Sequence, residues 1–190
     1  MRNEDTKTRI LTVAVELFTA HGYDQTSLRE IADRVGLTKA SLYYHYPSKQ
    51  ALLLALVQPL VDDWRRAVER LDTTAHNPEN VRATLGEFLD IVLRHRQAAA
   101  IFLRDTPAVL ASIETIWEEV SQLAARLHAW LAGPEPTTVD QIRAVAAAEV
   151  LGVALSSARA VPDVDQTVLH ATLLEAAAAV LGLPPPDQGR

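Results

Sequence analysis

The sequence predicts an all-α fold: an N-terminal three-helix helix-turn-helix domain followed by a larger helical domain, about nine helices in all. Three observations predict it. Ala and Leu dominate a 190-residue chain that has 7 glycines, a composition that favours helix. Apolar residues recur at helical spacing, and no stretch alternates with the period of a strand. Capping residues and helix breakers separate these stretches, with no internal repeat and no flexible linker between them.

Taken in order, residues 6–21 place Ile10, Ala14, Leu17 and Phe18 on one helix face, and Gly22 can adopt the left-handed conformation that ends it. Ser27 and Glu30 form a capping box for a short helix over 28–35 that stops at Gly36. Thr38 caps a third helix over 39–45, which ends before Pro47, and Ser48 caps the next. That helix, 49–73, carries Pro59 in its middle, where a missing amide favours a kink. Asn77-Pro78 opens a helix to about Arg96, a short segment follows at 98–104, and Thr106-Pro107 opens another to about Ala132. After the breaker "GPEPTT", Thr138 and Gln141 offer a second capping box. Helices over 138–160 and 165–182 then precede the tail "LPPPDQGR".

Composition narrows the function. The chain has no cysteine, which excludes disulfides, zinc–thiolate sites and thiol chemistry. Its six histidines, at 21, 45, 76, 95, 128 and 170, are never three or four apart, so no helix carries a paired metal site. No phosphate-binding glycine loop, nucleophile elbow or cofactor motif is present, which argues against an enzyme. Glu114 and Glu118 are paired carboxylates at i+4, but such faces are commonly just solvated. The polar start "MRNEDTKTR" does not read as a secretory signal, and the longest nearly apolar run is too short for a membrane span. The expectation is a cytoplasmic protein. Net charge is −6, yet residues 1–50 hold seven Lys or Arg against six Asp or Glu. The acidity therefore lies wholly in the larger part, a hint that the two parts differ in role.

Residues 36–52, "GLTKASLYYHYPSKQAL", gather three of the four tyrosines between Lys39 and Lys49. Stepping about 100° per residue from Leu42 places Thr38, His45 and Tyr46 on its side and turns Ala40, Ser41, Tyr43 and Tyr44 outward. An outward tyrosine can donate a hydrogen bond to a phosphate and lay its ring on a sugar or a thymine methyl. Ala40 lets the helix approach base edges, while Lys39 and Lys49 can contact phosphates, Lys49 from the first turn of the following helix. Two adjacent tyrosines are by themselves more often packing residues. Arg29 could simply pair with Asp33, and His45 reads better as a core residue with a satisfied ring than as a base reader.

"TSLREIADRVGLTKASLYYHYPSKQALL", preceded by "AVELFTAHGYDQ", strongly resembles the DNA-binding region of the TetR family of bacterial transcriptional regulators. The resemblance covers about residues 8–55 and includes the Phe-x3-Gly-Tyr end of the first helix, Ile31-Ala32, Val35-Gly36, Leu42 to Tyr46 and Ser48-Lys49. Tyr46 stands where the family usually has phenylalanine. The resemblance implies that Ser27 touches the DNA backbone and Arg29 a base. It places Lys39, Ala40 and Tyr43 toward bases and Ser41, Tyr44 and Lys49 toward phosphates, with Thr38 at the start of the same helix.

The resemblance further implies a regulatory domain that dimerises and binds a small molecule, dividing the chain into 1–48 for DNA, 49–182 for regulation and 183–190 as a tail. The Ala-rich helices 138–160 and 165–182 suit a homodimer interface; the former carries Val145, Ala146, Glu149, Val153, Leu155 and Ser156. Their small residues suit an ordinary core nearly as well. For an effector pocket the large residues of the central helices are nominated: Trp64, Phe88, Phe102 and Trp117. The expected function is a homodimeric DNA-binding regulator, most simply a repressor of a palindromic double-stranded operator released by a small molecule. The alternatives are a DNA-binding dimer without a ligand and, further off, a helical enzyme.

Overall fold

The structure, a computed structural model, describes residues 2–98, 101, 114–161 and 163–185. Eight helices are assigned among them: α1 Arg2–His21, α2 Leu28–Val35, α3 Lys39–His45, α4 Lys49–Leu71, α5 Pro78–Arg94, α6 Glu114–Ala132, α7 Thr138–Ala160 and α8 Gln166–Leu181. No strand occurs among the described residues, so the all-α expectation holds. The helix opening expected at Thr106-Pro107 and most of the segment expected at 98–104 lie outside the described residues.

The chain divides into two compact units, Met1–Val61 with Gln97–Trp117, and Asp62–Arg96 with Glu118–Arg190. The division falls inside α4, just after Pro59.

In the first unit, α1 packs on α2 and α2 on α3. The apolar face read from the sequence is the buried one: Ile10, Ala14 and Phe18 have no exposed surface, and neither do Ile31 and Leu42. Gly36 ends α2 at φ 76°, a conformation that costs glycine little, and its N–H turns back to Ala32 and Asp33 carbonyls. Arg9 adds a cross-helix tie, donating from Nη2 to the Val35 carbonyl at 2.9 Å.

In the second unit α5, α7 and α8 pack against one another. α7 turns Ala144, Ala147, Leu151 and Ala154 inward, an i, i+3, i+7, i+10 stripe of mostly small side chains that allows close helix approach. α8 meets it with Leu169, Leu173, Ala177 and Ala178. Charged groups lock the periphery: Arg126 binds both carboxylate oxygens of Asp72 at 2.8 and 3.0 Å, and Arg82 joins Glu175 at 2.6 Å and the Pro184 carbonyl at 2.7 Å. Asp63 on α4 receives Arg66, Arg94 and His95 together. The His95 hydrogen bond, aided by the two guanidinium groups, holds its carboxyl below the usual carboxylate range.

Two capping expectations need correction. Ser27 accepts the Glu30 amide at 3.1 Å, but the Glu30 carboxylate meets His21 Nδ1 at 3.1 Å. A nearby imidazole has taken the acceptor that a full capping box would use. At α7 the cap is Thr137, not Thr138: Thr137 Oγ1 accepts the Asp140 amide at 3.3 Å, and Asp140 accepts the Thr137 N–H at 3.0 Å and hydroxyl at 2.6 Å. Those bonds hold the Asp140 carboxyl below its ordinary range.

Candidate nucleic-acid interface

The candidate surface is built by two caps and one buried leucine. Thr38 Oγ1 accepts the Ser41 amide at 3.1 Å and starts α3, and Ser48 Oγ accepts the Ala51 amide at 2.9 Å and starts α4. Between them Leu42 is fully buried, and burying such a side chain is worth about 1.5–3 kcal/mol. Leu42 therefore sets which face of α3 looks outward. Tyr46 is also buried, at 7% exposure, and burial pushes its phenol pKa up.

The outward face is the one the helical wheel predicts. Tyr44 is 82% exposed and Tyr43 41%, Lys39 and Ala40 are exposed, and Ser41 is intermediate. The Lys39 ammonium lies 5.5 Å from the centroid of the Tyr43 ring, within cation–π range, so the two form a pair one helical turn apart. Thr38 is exposed although the wheel turned it inward. As the N-cap, with φ −71° and ψ 152°, it stands before the helical period begins, so the wheel does not apply to it. His45 is intermediate, as the wheel implies, but its Nδ1 is buried without a hydrogen-bond partner, contrary to the satisfied ring expected. Its ring stands edge-on to Tyr44 at 5.5 Å.

At the start of α2, Ser27 and Arg29 are exposed. Arg29 lies 3.9 Å from Asp33 with both side chains over two-thirds exposed, a pair of little energetic weight that leaves the guanidinium accessible.

Lys49 is placed differently from its neighbours. It is only partly exposed, and its ammonium donates to three backbone carbonyls of the α1–α2 connection: Tyr23 at 2.9 Å, Thr26 at 3.2 Å and Asp24 at 3.3 Å. The side chain expected to reach a phosphate is turned into the protein. Carbonyl acceptors carry no residue-type signature, so this role had no signal in the sequence.

The pocket nominees are scattered. Phe88 is buried and Trp64 meets it edge-to-face at 6.0 Å, with the Trp64 Nε1 buried and without a hydrogen-bond partner. Trp117 is 48% exposed, and Phe102 lies outside the described residues. Three cavities of the second unit, of about 360, 790 and 190 Å³, are lined by none of the four. In the 360 Å³ groove Arg66, Arg70 and Arg94 all face carboxylates, so it offers no unbalanced charge to an ionic ligand. Arg94 and His95, at the C-terminal end of α5, both lie 2.8 Å from Asp63.

Comparison with known proteins agrees with this geometry. Residues 10–56 match the family model described as bacterial regulatory proteins, tetR family. The chain is 32% identical over 120 residues to the transcriptional activator FasR of Mycolicibacterium smegmatis, covering 60% of this chain and 55% of that protein. It thus spans about half the length of that relative. It is 28% identical over 160 residues to the putative mycofactocin biosynthesis regulator MftR of Mycobacterium tuberculosis, covering 82% of this chain and 79% of the other. Among solved structures, AmtR of Mycobacterium smegmatis superposes with a TM-score of 0.75 at 23% identity, covering 93% of this chain and 86% of that one, which speaks to the fold. The two sequence relatives are regulators by name, and the enzyme alternative is set aside on that ground. Sequence, helix-turn-helix geometry and fold agree: residues 10–56 carry the DNA-binding domain of the tetR family of bacterial regulatory proteins, and the chain as a whole is similar to transcriptional regulators of that kind.

Proposed function

We propose that the protein is a homodimeric repressor that binds a palindromic double-stranded DNA operator through α3 and is released by a small molecule. The observation that carries the DNA reading is the exposure of Ala40, Tyr43 and Tyr44 over a buried Leu42 and Tyr46. Large phenols held out from a short helix by a fully buried anchor suit a groove better than they suit solvent. In this reading Lys39, Ala40 and Tyr43 face bases and Arg29 reaches a base from α2. Ser27, Thr38, Ser41 and Tyr44 face the sugar-phosphate backbone. The division of labour is residues 1–48 for DNA and 49–182 for regulation and dimerisation, with 183–190 as a tail, in the cytoplasm where the DNA is.

Dimerisation draws support from α7. Opposite its buried stripe, Val139, Ile142, Val145 and Val153 are 43–64% exposed, and Val168 on α8 is 58% exposed. A second copy would cover this apolar face by two-fold symmetry, which matches a palindrome with half-sites ~34–36 Å apart. Ser156 of the expected interface lies outside the described side chains.

The effector reading rests on Trp64 and Phe88, an aromatic pair with a buried indole N–H that lacks an acceptor, although none of the three cavities described reaches them. A ligand carbonyl there would satisfy it. No helix among the described residues is long and apolar enough to cross a membrane.

Selection of bound sequences from random DNA by the purified protein tests the core of the proposal. The expected result is a palindrome; an unstructured pool of recovered sequences would refute it. A thermal-shift screen separates the ligand-responsive reading from a dimer that binds DNA without an effector.

A further inference from the structure

We propose that Lys49 is a positioning residue and not a phosphate contact: its ammonium fastens the first turn of α4 to the α1–α2 corner and so sets how α2 and α3 stand together before DNA. This rests on the reading of α2 and α3 as the DNA-facing elements.

An ammonium has three N–H donors, and here the carbonyls of Tyr23, Asp24 and Thr26 take them at 2.9, 3.3 and 3.2 Å. The Tyr23 ring lies 4.4 Å away and presents a further electron-rich surface to the cation. Tyr23 itself is 4% exposed. These carbonyls follow the C-terminal end of α1, where the helix's partial negative charge collects and a cation is favoured. A phosphate could reach Lys49 only by displacing a carbonyl, leaving a part-buried acceptor without its donor.

The corner is itself firm. Thr26 is 1% exposed and its hydroxyl donates to the Gly22 carbonyl at 2.8 Å. Its neighbour Ser27 caps α2, while Lys49 stands directly after the turn that closes α3. One side chain therefore joins the backbone just before α2 to the backbone just after α3. Without it, only the Pro47-Ser48 link and the buried apolar side chains of α4, such as Leu52 and Leu53, would relate α4 to the reading helices. With it, the first turn of α4 and the three N-terminal helices form one body, and the weak point of α4 moves along the chain to Pro59.

The test uses the whole chain, its selected operator, and the variants Lys49→Met and Lys49→Arg, with anisotropy titrations across a salt series and thermal melts. Lys49→Met keeps the aliphatic stem. It is expected to stay folded and lose about tenfold in operator affinity, the scale of one misplaced base contact. The slope of log K against log salt should not change, nor should non-specific binding. Lys49→Arg should not rescue it, because a planar guanidinium cannot converge on three carbonyls arranged around a tetrahedral ammonium. A slope reduced by about one in Lys49→Met, restored by Lys49→Arg, would overturn the proposal in favour of a phosphate contact. Unchanged operator affinity in a folded Lys49→Met would overturn it too, since a merely stabilising side chain behaves that way. If Lys49→Met does not fold, the wild-type protein decides. The NMR signal of the Lys49 ammonium should show slow proton exchange without DNA and barely shift on adding operator, and a large DNA-dependent shift rejects the assignment. Failure of the wild-type chain to select any DNA would count against the DNA reading of α3 instead.

Discussion

The sharpest quantitative consequence concerns the outer face of α7. Ile142 keeps 64% of its surface exposed within one chain, and Val139, Val145, Val153 and Val168 keep 43–58%. Burying an aliphatic side chain completely is worth about 1.5–3 kcal/mol, so covering what remains exposed on Ile142 is worth about 1–2 kcal/mol. A two-fold interface counts every residue twice. The five side chains together then supply on the order of 10 kcal/mol, comparable with the ~4–15 kcal/mol cost of association. Ile142→Asp removes about 2–4 kcal/mol from the symmetric pair and leaves two carboxylates in an apolar contact, each costing a further ~1–3 kcal/mol. A total of about 4–10 kcal/mol predicts a dimer dissociation constant raised about 10³-fold or more. Sedimentation equilibrium across nanomolar to micromolar protein measures it, with Gln141→Asp, also exposed on α7, as the control. Operator binding should become steeply dependent on protein concentration in the variant, because two half-sites no longer meet a preformed pair. If Ile142→Asp sediments as the wild type does, the two-fold axis does not run past this face and the assignment of α7 is wrong.

Four other perturbations probe the remaining links. Tyr43→Phe keeps the ring and should weaken operator binding by the ~0.5–1.5 kcal/mol of one hydrogen bond while leaving the melting temperature unchanged; equal affinity removes the phenol from the interface. Leu42→Ala deletes the fully buried anchor of α3 and should cost about 2–5 kcal/mol of stability, read by denaturant titration, although the side chain never faces DNA. Acid should destabilise the fold: Asp63, Asp140 and Asp165 have carboxyls held below their ordinary range, so their contribution is complete above about pH 4, the unfolded value, and fades as pH falls through the lower folded values. Melts in a pH series check this, and a melting point that rises on acidification would contradict it. Pro59→Ala restores one amide inside α4 and should blunt the change in operator affinity caused by an effector; an unchanged response argues against a hinge at that position.

What could be read in the sequence was local. The bounds of α2 and α3, and the caps Thr38, Ser48 and Asn77, follow from residues within four positions of one another, and the structure agrees with each. The orientation of α3 was legible for the same reason, since one fully apolar position in a short polar helix admits only one inward face. Errors arose where a distant or duplicated partner competed. His21 captures Glu30 from the far side of a turn, and of two adjacent threonines the first, Thr137, took the cap. The placement of Lys49 was not legible because its acceptors are carbonyls 23–26 residues away. The pocket nominees were the least legible: aromatic residues recur at helical spacing whether they fill a core like Phe88 or stand half in solvent like Trp117.

The commitment of Lys49 changes the electrostatic account of how an acidic protein holds DNA. The chain carries −6 overall, and the residues after 50 are more acidic still. Near ~0.15 M salt the screening length is about 8 Å, so acidic groups farther than that from the duplex repel it weakly. The charges that matter lie on the three N-terminal helices and the start of α4. Of these Lys7, Arg29, Arg34 and Lys39 are exposed, while Arg9 donates to the Val35 carbonyl and Lys49 lies within its carbonyl cage. A handful of accessible cations per protomer gives a shallow salt slope and feeble non-specific binding. Lowering the salt would help less than usual, because the same weakened screening lets the acidic body be felt. On the proposed reading, affinity for an operator then comes mainly from the fit of the Ala40–Tyr43 face to bases and sugars. In the proposed dimer that fit requires both α3 helices to be seated at once, so a small change in their separation would suffice to abolish binding.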